Sequence, residues 1–161
     1  MHTQDEYWMQ QAIQLAQKAA EEDEVPVGAI IVKNNQLISE GWNQSIQSHD
    51  PSAHAELMAI RSAGQALNNY RLIDTTMYVT LEPCSMCVGA MIHARVSRLV
   101  FGAADLKTGA TGSAINLIHD SIHNHKIDVL GGVMEAESKR LLQAFFKHKR
   151  TLKKAGKNAT K

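Results

Sequence analysis

Two short motifs hold the residue types best suited to chemistry: His54-Ala55-Glu56 and Pro83-Cys84-Ser85-Met86-Cys87. Cys84 and Cys87 stand at i and i+3, so at the opening of a helix both sulfurs lie on one side of its first turn. The free amides and positive dipole end of that turn favour thiolate over thiol, and thiolate is the form that binds metal. His54 offers a third, nitrogen ligand. Two thiolates and one imidazole suit zinc, whose catalytic sites typically keep a fourth position open. No third cysteine exists for a structural site built on three or four thiolates, and His49 and His93, the histidines nearest the motifs, lack finger-like spacing. In a regular helix residues i and i+2 point about 200° apart. A His54 with non-helical dihedrals at a helix cap would instead turn its side chain and that of Glu56 toward one pocket. A carboxylate beside the open position of a metal can take a proton from water and pass it to a substrate, which is hydrolytic chemistry. Read alone, Cys84-x-x-Cys87 also suits a redox dithiol or two inert buried thiols. The redox reading leaves His54 and Glu56 unused, and no Trp-Cys leader precedes Cys84.

The elements that must position these residues follow from periodicity. Met9, Ala12, Ile13, Ala16 and Ala19 or Ala20 mark one face of a helix over Asp5 to Ala20, ended by Glu21 to Glu24 and Pro26. Val27 to Val32 and Leu37 to Trp42 read as two strands joined by a turn at Lys33-Asn34-Asn35-Gln36. A helix begins near Ser52 or His54 and runs toward Ala66. Met77 to Leu81 is a strand from which Glu82-Pro83 leads into a helix over Cys84 to His93. Arg98 to Gly102 and Ile127 to Leu130 are further strands, and a closing helix covers Met134 to about Arg150. Ala103 to Ser113 reads as a loop, and Ile115 to His125 has no clear assignment. Strands alternating with helices argue for a layered α/β domain with helices on both sheet faces.

The 161 residues suit one domain, and 44% hydrophobic with 20% charged residues is ordinary globular usage. The longest nearly apolar runs, Val25 to Val32 and Met86 to Ile92, are too short to span a bilayer, so no membrane association is expected. His2, Asp5 and Glu6 open the chain without the basic and apolar regions of a secretory leader. With two cysteines three positions apart, a disulfide framework is excluded and a reduced, cytoplasmic setting is expected. The net charge of +1 conceals an asymmetry: after Glu137 there is no acid, and nine cations from Lys139 to Lys161 follow. The preceding residues carry a net −8. Such a segment suits a polyanion, and it equally suits a solvated terminal helix.

The pattern H-x-E…P-C-x-x-C, written here by His54, Glu56, Pro83, Cys84 and Cys87, resembles the zinc-dependent cytidine and deoxycytidylate deaminase superfamily. Glu24-Val25-Pro26-Val27-Gly28-Ala29, Gly41-Trp42-Asn43, His49-Asp50-Pro51, Asn69-Tyr70-Arg71-Leu72, Met91-Ile92-His93 and Phe101-Gly102-Ala103-x-Asp105-x-Lys107-Thr108-Gly109 make it similar to the bacterial branch that acts on tRNA adenosine. That resemblance spans about Tyr7 to Arg150. It implies a three-layer α/β/α sandwich of the cytidine deaminase type with a central five-stranded mixed sheet, assembled as a homodimer. It implies one zinc per subunit on His54, Cys84 and Cys87, with Glu56 as proton shuttle. The implied partner is a tRNA anticodon stem-loop, and the implied reaction converts its wobble adenosine to inosine, mainly in an arginine tRNA.

Four further residues match substrate contacts of the family: Asn43, Asp105, Phe145 and Phe146. Each has a plainer reading, respectively a turn residue, a solvated loop acid and two core aromatics. Phenylalanines interleaved with Lys147 to Arg150 would also suit base stacking and phosphate contact. The expected organisation is a catalytic domain over residues 1–150 and a mobile basic tail over 151–161. His119, His123 and His125 receive no role. Two other functions share many of these features: a deaminase of free nucleosides, nucleotides or bases, and a zinc-stabilised RNA-binding module without catalysis. The first would not need the basic tail, and the second would not need Glu56 or an open metal position.

Overall fold

A computed structural model describes residues 3–119 and 122–159. Lys161, the last cation of the basic segment, and His2 lie outside the described residues, as do two positions of the unassigned Ile115 to His125 stretch. The elements follow in the order α1 (Gln4–Glu21), β1 (Gly28–Lys33), β2 (Gln36–Trp42), α2 (Ala55–Leu67), β3 (Thr75–Leu81), α3 (Ser85–Ala94), β4 (Arg98–Ala103), β5 (Asp128–Leu130) and α4 (Glu135–Ala159). The five strands form one mixed sheet in the order β2-β1-β3-β4-β5. β1 runs antiparallel to β2 and β3, whereas β3, β4 and β5 are parallel.

Period-two alternation along the central strands sorts two cores. Ala29, Ile31, Met77, Val79 and Leu99 face Ala55, Ala59 and Ala63 of α2 and Val88, Met91 and Ile92 of α3. Ile30, Val32, Tyr78 and Val100 face Trp8, Met9, Ala12 and Ile13 of α1, with Leu141 of α4 at the edge. This is the expected three-layer sandwich. Met9, Ile30, Ile31, Met77, Met91 and Leu99 are all fully buried, each stabilising the fold by roughly 1.5–3 kcal/mol.

Local sequence explains the connections. Asn34 and Asn35 both take positive φ, 52° and 57°, the conformation a two-residue hairpin turn requires and asparagine tolerates. Thr3 caps α1 by accepting from the Glu6 amide. Gly41 lets β2 touch α2: a Cβ there would stand 2.3 Å from the Ala55 carbonyl oxygen. α4 runs on past Arg150, where the sequence suggested it would end, because Leu152, Lys153, Lys154 and Ala155 are good helix formers and no proline intervenes. The described parts of the Ile115 to His125 stretch form no helix or strand beyond the isolated bridge between Thr111 and Asn116. His125 is structural there, its Nε2 lying 2.6 Å from the Val96 carbonyl oxygen. No helix among the described residues is long and apolar enough to cross a membrane.

Candidate active site

One edge of the sheet collects the chemistry. β3 and β4 end there, β1 begins there because it is antiparallel to β3, and β2 ends there beside Gly28. The N-termini of α2 and α3 open at the same edge, the usual place for ligands in α/β sheets.

His54 is the N-cap of α2, with φ −74° and ψ 154°. This extended cap meets the geometric condition set by the sequence, since Glu56, two residues on, is free of the i, i+2 divergence of a continuous helix. Cys84 is the N-cap of α3, at φ −78° and ψ 176°, and Cys87 lies in its first turn. Both sulfurs lie 3.6 Å from His54 Nδ1, and the three ligand atoms are all within 4.8 Å of one another. Tetrahedral zinc with bonds of about 2.3 Å to sulfur and about 2.0 Å to nitrogen separates such atoms by roughly 3.5 Å. The donor set therefore fits zinc in spacing as well as in softness, with His54 Nδ1 turned toward both sulfurs.

Electrostatics agree with a metal-binding pair. The Cys84 thiol is drawn down to about 4, first by the hydrogen bond from the Cys87 thiol and then by that from His54. Cys87 is pushed up by that same hydrogen bond and by burial. One of the two sulfurs thus ionises readily, giving the thiolate character that metal capture needs. Glu56 is 4% exposed, and burial pushes its carboxyl above the ordinary glutamate value. A carboxyl so raised, beside His54 and Cys87, is held more readily in its protonated form than an exposed glutamate.

A cavity of about 220 Å³ opens over these groups, lined by Asn43, His54, Glu56, Cys84, Asp105 and Thr108 among others. Asn43 Oδ1 accepts from the Ala55 amide at 3.1 Å, tying the end of β2 to the start of α2. The Asp105 carboxylate accepts from the Lys107 and Thr108 amides and the Thr108 hydroxyl, so most of its hydrogen-bonding capacity shapes its own loop. Phe146, 44% exposed, lines a second, more apolar cavity of about 540 Å³ with Leu106, Asp105 and Thr108. Phe145 lines neither cavity: it meets Phe146 edge-on at 5.5 Å and carries the Lys149 ammonium 5.4 Å from its ring. Neither phenylalanine is a buried core residue.

Glu82, which lines the cavity, and Glu24, next to the lining residue Val25, have roles that the sequence does not announce. Glu24, 1% exposed, accepts from the Ile46 and Gln47 amides and so fastens the loop after β2. Glu82 fastens the loop after β4. The available signal was an acid at the end of an apolar run, with donor-rich Thr111-Gly112-Ser113 downstream.

The profile of the cytidine and deoxycytidylate deaminase zinc-binding region matches residues 2–103. The tRNA-specific adenosine deaminase of Haemophilus influenzae is 48% identical over 95% of this chain and 89% of its own. That of Bacillus subtilis is 44% identical over 96% of each. A structure solved in studies of A-to-I editing by tRNA:A34 deaminases at the wobble position of transfer RNA superposes with a TM-score of 0.82 at 40% identity. The match covers 84% of this chain and 99% of that one. The zinc-ligand spacing, the sandwich and the likeness along nearly the whole chain agree: the chain belongs to the cytidine and deoxycytidylate deaminase zinc-binding family, within the group of tRNA-specific adenosine deaminases.

Proposed function

We propose that this protein hydrolytically deaminates the wobble adenosine of a tRNA anticodon to inosine, with an arginine tRNA as substrate. The observation that carries the reading is the grouping of His54, Cys84 and Cys87 at metal-binding distances, at a cavity that His54, Cys84 and the buried Glu56 line. His54 Nδ1 and the two sulfurs would hold one zinc per subunit. Zinc held there would supply Lewis acidity to activate water for attack.

The other roles fall to the chain. Glu56 accepts a proton from the attacking water, protonates the purine ring nitrogen, and then transfers a proton to the leaving group. A C6–O bond forms, the C6–N bond breaks and ammonia departs, consuming one water. Asn43, its oxygen committed to Ala55, offers its NH2 to the nucleoside. Asp105 and Phe146 meet the target nucleotide and its neighbour, with Phe145 and Lys149 beside them on the helix that approaches RNA. An anticodon loop is single-stranded, so extruding its base costs less than opening a duplex.

Residues 1–150 form the catalytic domain in this reading, and residues 151–161 add a basic extension for phosphate contact. The protein acts as a homodimer in the cytoplasm. The test is nucleoside mass analysis after incubation with an ACG anticodon stem-loop, free adenosine or free cytidine. Inosine from the stem-loop alone is expected. Turnover of a free nucleoside with the stem-loop untouched would replace this reading with that of a free-nucleoside deaminase.

A further inference from the structure

Glu82 follows β3 directly, before Pro83 and Cys84, and is 3% exposed. Its two carboxylate oxygens accept five hydrogen bonds, all from one loop. Oε1 takes the Asp105 amide at 3.1 Å and the Ser113 hydroxyl. Oε2 takes the Thr111 amide and hydroxyl, both at 3.0 Å, and the Ser113 amide at 3.2 Å. The loop is wrapped so tightly that a Cβ on Gly109 would stand 2.4 Å from Glu82 Cδ. The Ala110 amide adds a bond to the Pro83 carbonyl at 2.9 Å.

Asp105 and Thr108, from the same loop, form one wall of the cavity over His54, Glu56 and Cys84. That wall has no regular strand or helix to hold it between Ala103 and Ser113. A buried carboxylate saturated with donors from both ends of the loop supplies the missing scaffold, because charge-assisted bonds are the strong ones. We infer that Glu82 is a positioning residue for the substrate: by gathering residues 105–113 around its carboxylate, it sets where Asp105 and Thr108 meet the bound nucleoside. The identity of that nucleoside rests on the proposed function; the loop's dependence on Glu82 does not.

The test compares Glu82→Gln, which turns one acceptor into a donor among donors, with the double variant Thr111→Val and Ser113→Ala, which leaves Glu82 in place. The readouts are zinc content, KM and kcat on the ACG stem-loop, and amide hydrogen exchange across 105–113. Glu82→Gln is expected to keep its zinc, exchange faster in this loop and raise KM by about tenfold, with kcat far less affected. The double variant should move KM and exchange in the same direction, and it decides the matter if Glu82→Gln does not fold. Unchanged exchange, or faster exchange at unchanged KM, would overturn the inference. So would loss of zinc from Glu82→Gln alongside a wild-type-like double variant, which would assign Glu82 to the metal centre. A wild-type protein inert on the stem-loop would overturn the proposed function and the substrate half of this role, while the exchange arm still reports whether Glu82 holds the loop.

Discussion

The side-chain oxygen of Asn43 accepts the first amide of α2, Ala55 N–H, at 3.1 Å, one residue after His54 of the candidate metal site. His54 makes no cap hydrogen bond with its own side chain. The residue directly after β2 therefore acts in place of an N-cap side chain, and the imidazole is left facing the two cysteine sulfurs. Asn43 also lines the cavity.

This double use separates two variants. Asn43→Ala loses the helix contact and the NH2, and should cost about 1 kcal/mol of stability as well as substrate affinity. Asn43→Asp keeps an acceptor for Ala55 and should melt near wild type, yet show a raised KM. Thermal melts read beside steady-state kinetics distinguish them. A melting temperature for Asn43→Ala equal to wild type would remove the capping role.

Glu56→Gln preserves the shape of the buried side chain and removes its proton chemistry. It should retain zinc while kcat falls by about 10²–10⁴-fold. Loss of metal together with activity would mean that the carboxylate supports the site and not the reaction.

Metal removal should act through His54, Cys84 and Cys87 together, since their three donor atoms come from two helix caps and a first turn. Stripping with a chelator is expected to abolish activity and lower the melting temperature, and added zinc should restore both. Cys84→Ala should behave like the stripped protein and resist restoration. Zinc-restored turnover in Cys84→Ala would exclude it as a ligand.

Asp5 joins α1 to the sheet through paired bonds to Arg98 at 2.8 Å each and one from the Tyr78 hydroxyl at 2.8 Å. The Arg98 guanidinium holds the Asp5 carboxyl below its ordinary value of 3.8. A carboxyl that is more acidic folded than unfolded adds stability above the unfolded value and loses it as pH falls through the folded one. Asp5→Asn should thus cost on the order of 1 kcal/mol at neutral pH, limited by the partial exposure of Arg98. The gap between the two proteins should close below about pH 4 in denaturant titrations. A constant gap down to about pH 2 would contradict it.

The basic end of α4 is testable by salt. Removing residues 147–161 should weaken stem-loop binding and flatten the slope of log affinity against log salt, because fewer phosphates are neutralised. Zinc content should be unchanged. An unaltered slope would return this segment to an ordinary solvated helix end.

Much of the architecture was legible because it rests on local rules. β-branched runs, an Asn-Asn turn and an alanine-lined helix face each encode their element within a few residues. The end of α4 was less legible, since a lysine-rich segment with few apolar residues resembles a solvated terminus even where its helix propensity is sufficient. Phe145 and Phe146 were indistinguishable as neighbours in sequence. Only the helical rotation of about 100° between them sends Phe146 to the cavity beside Asp105 and Phe145 toward Lys149.

By itself, the sequence determined the donor set: two thiols three residues apart and a His-x-Glu are chemistry written in residue types and spacing. Tertiary structure alone decided how that set is held. Asn43 capping α2 from directly after β2, and Glu82 gathering a loop around its buried carboxylate, join residues 12 and as many as 31 positions apart. Neither partnership has a periodicity to announce it. Each arises because buried polar groups must find partners wherever the folded chain brings them.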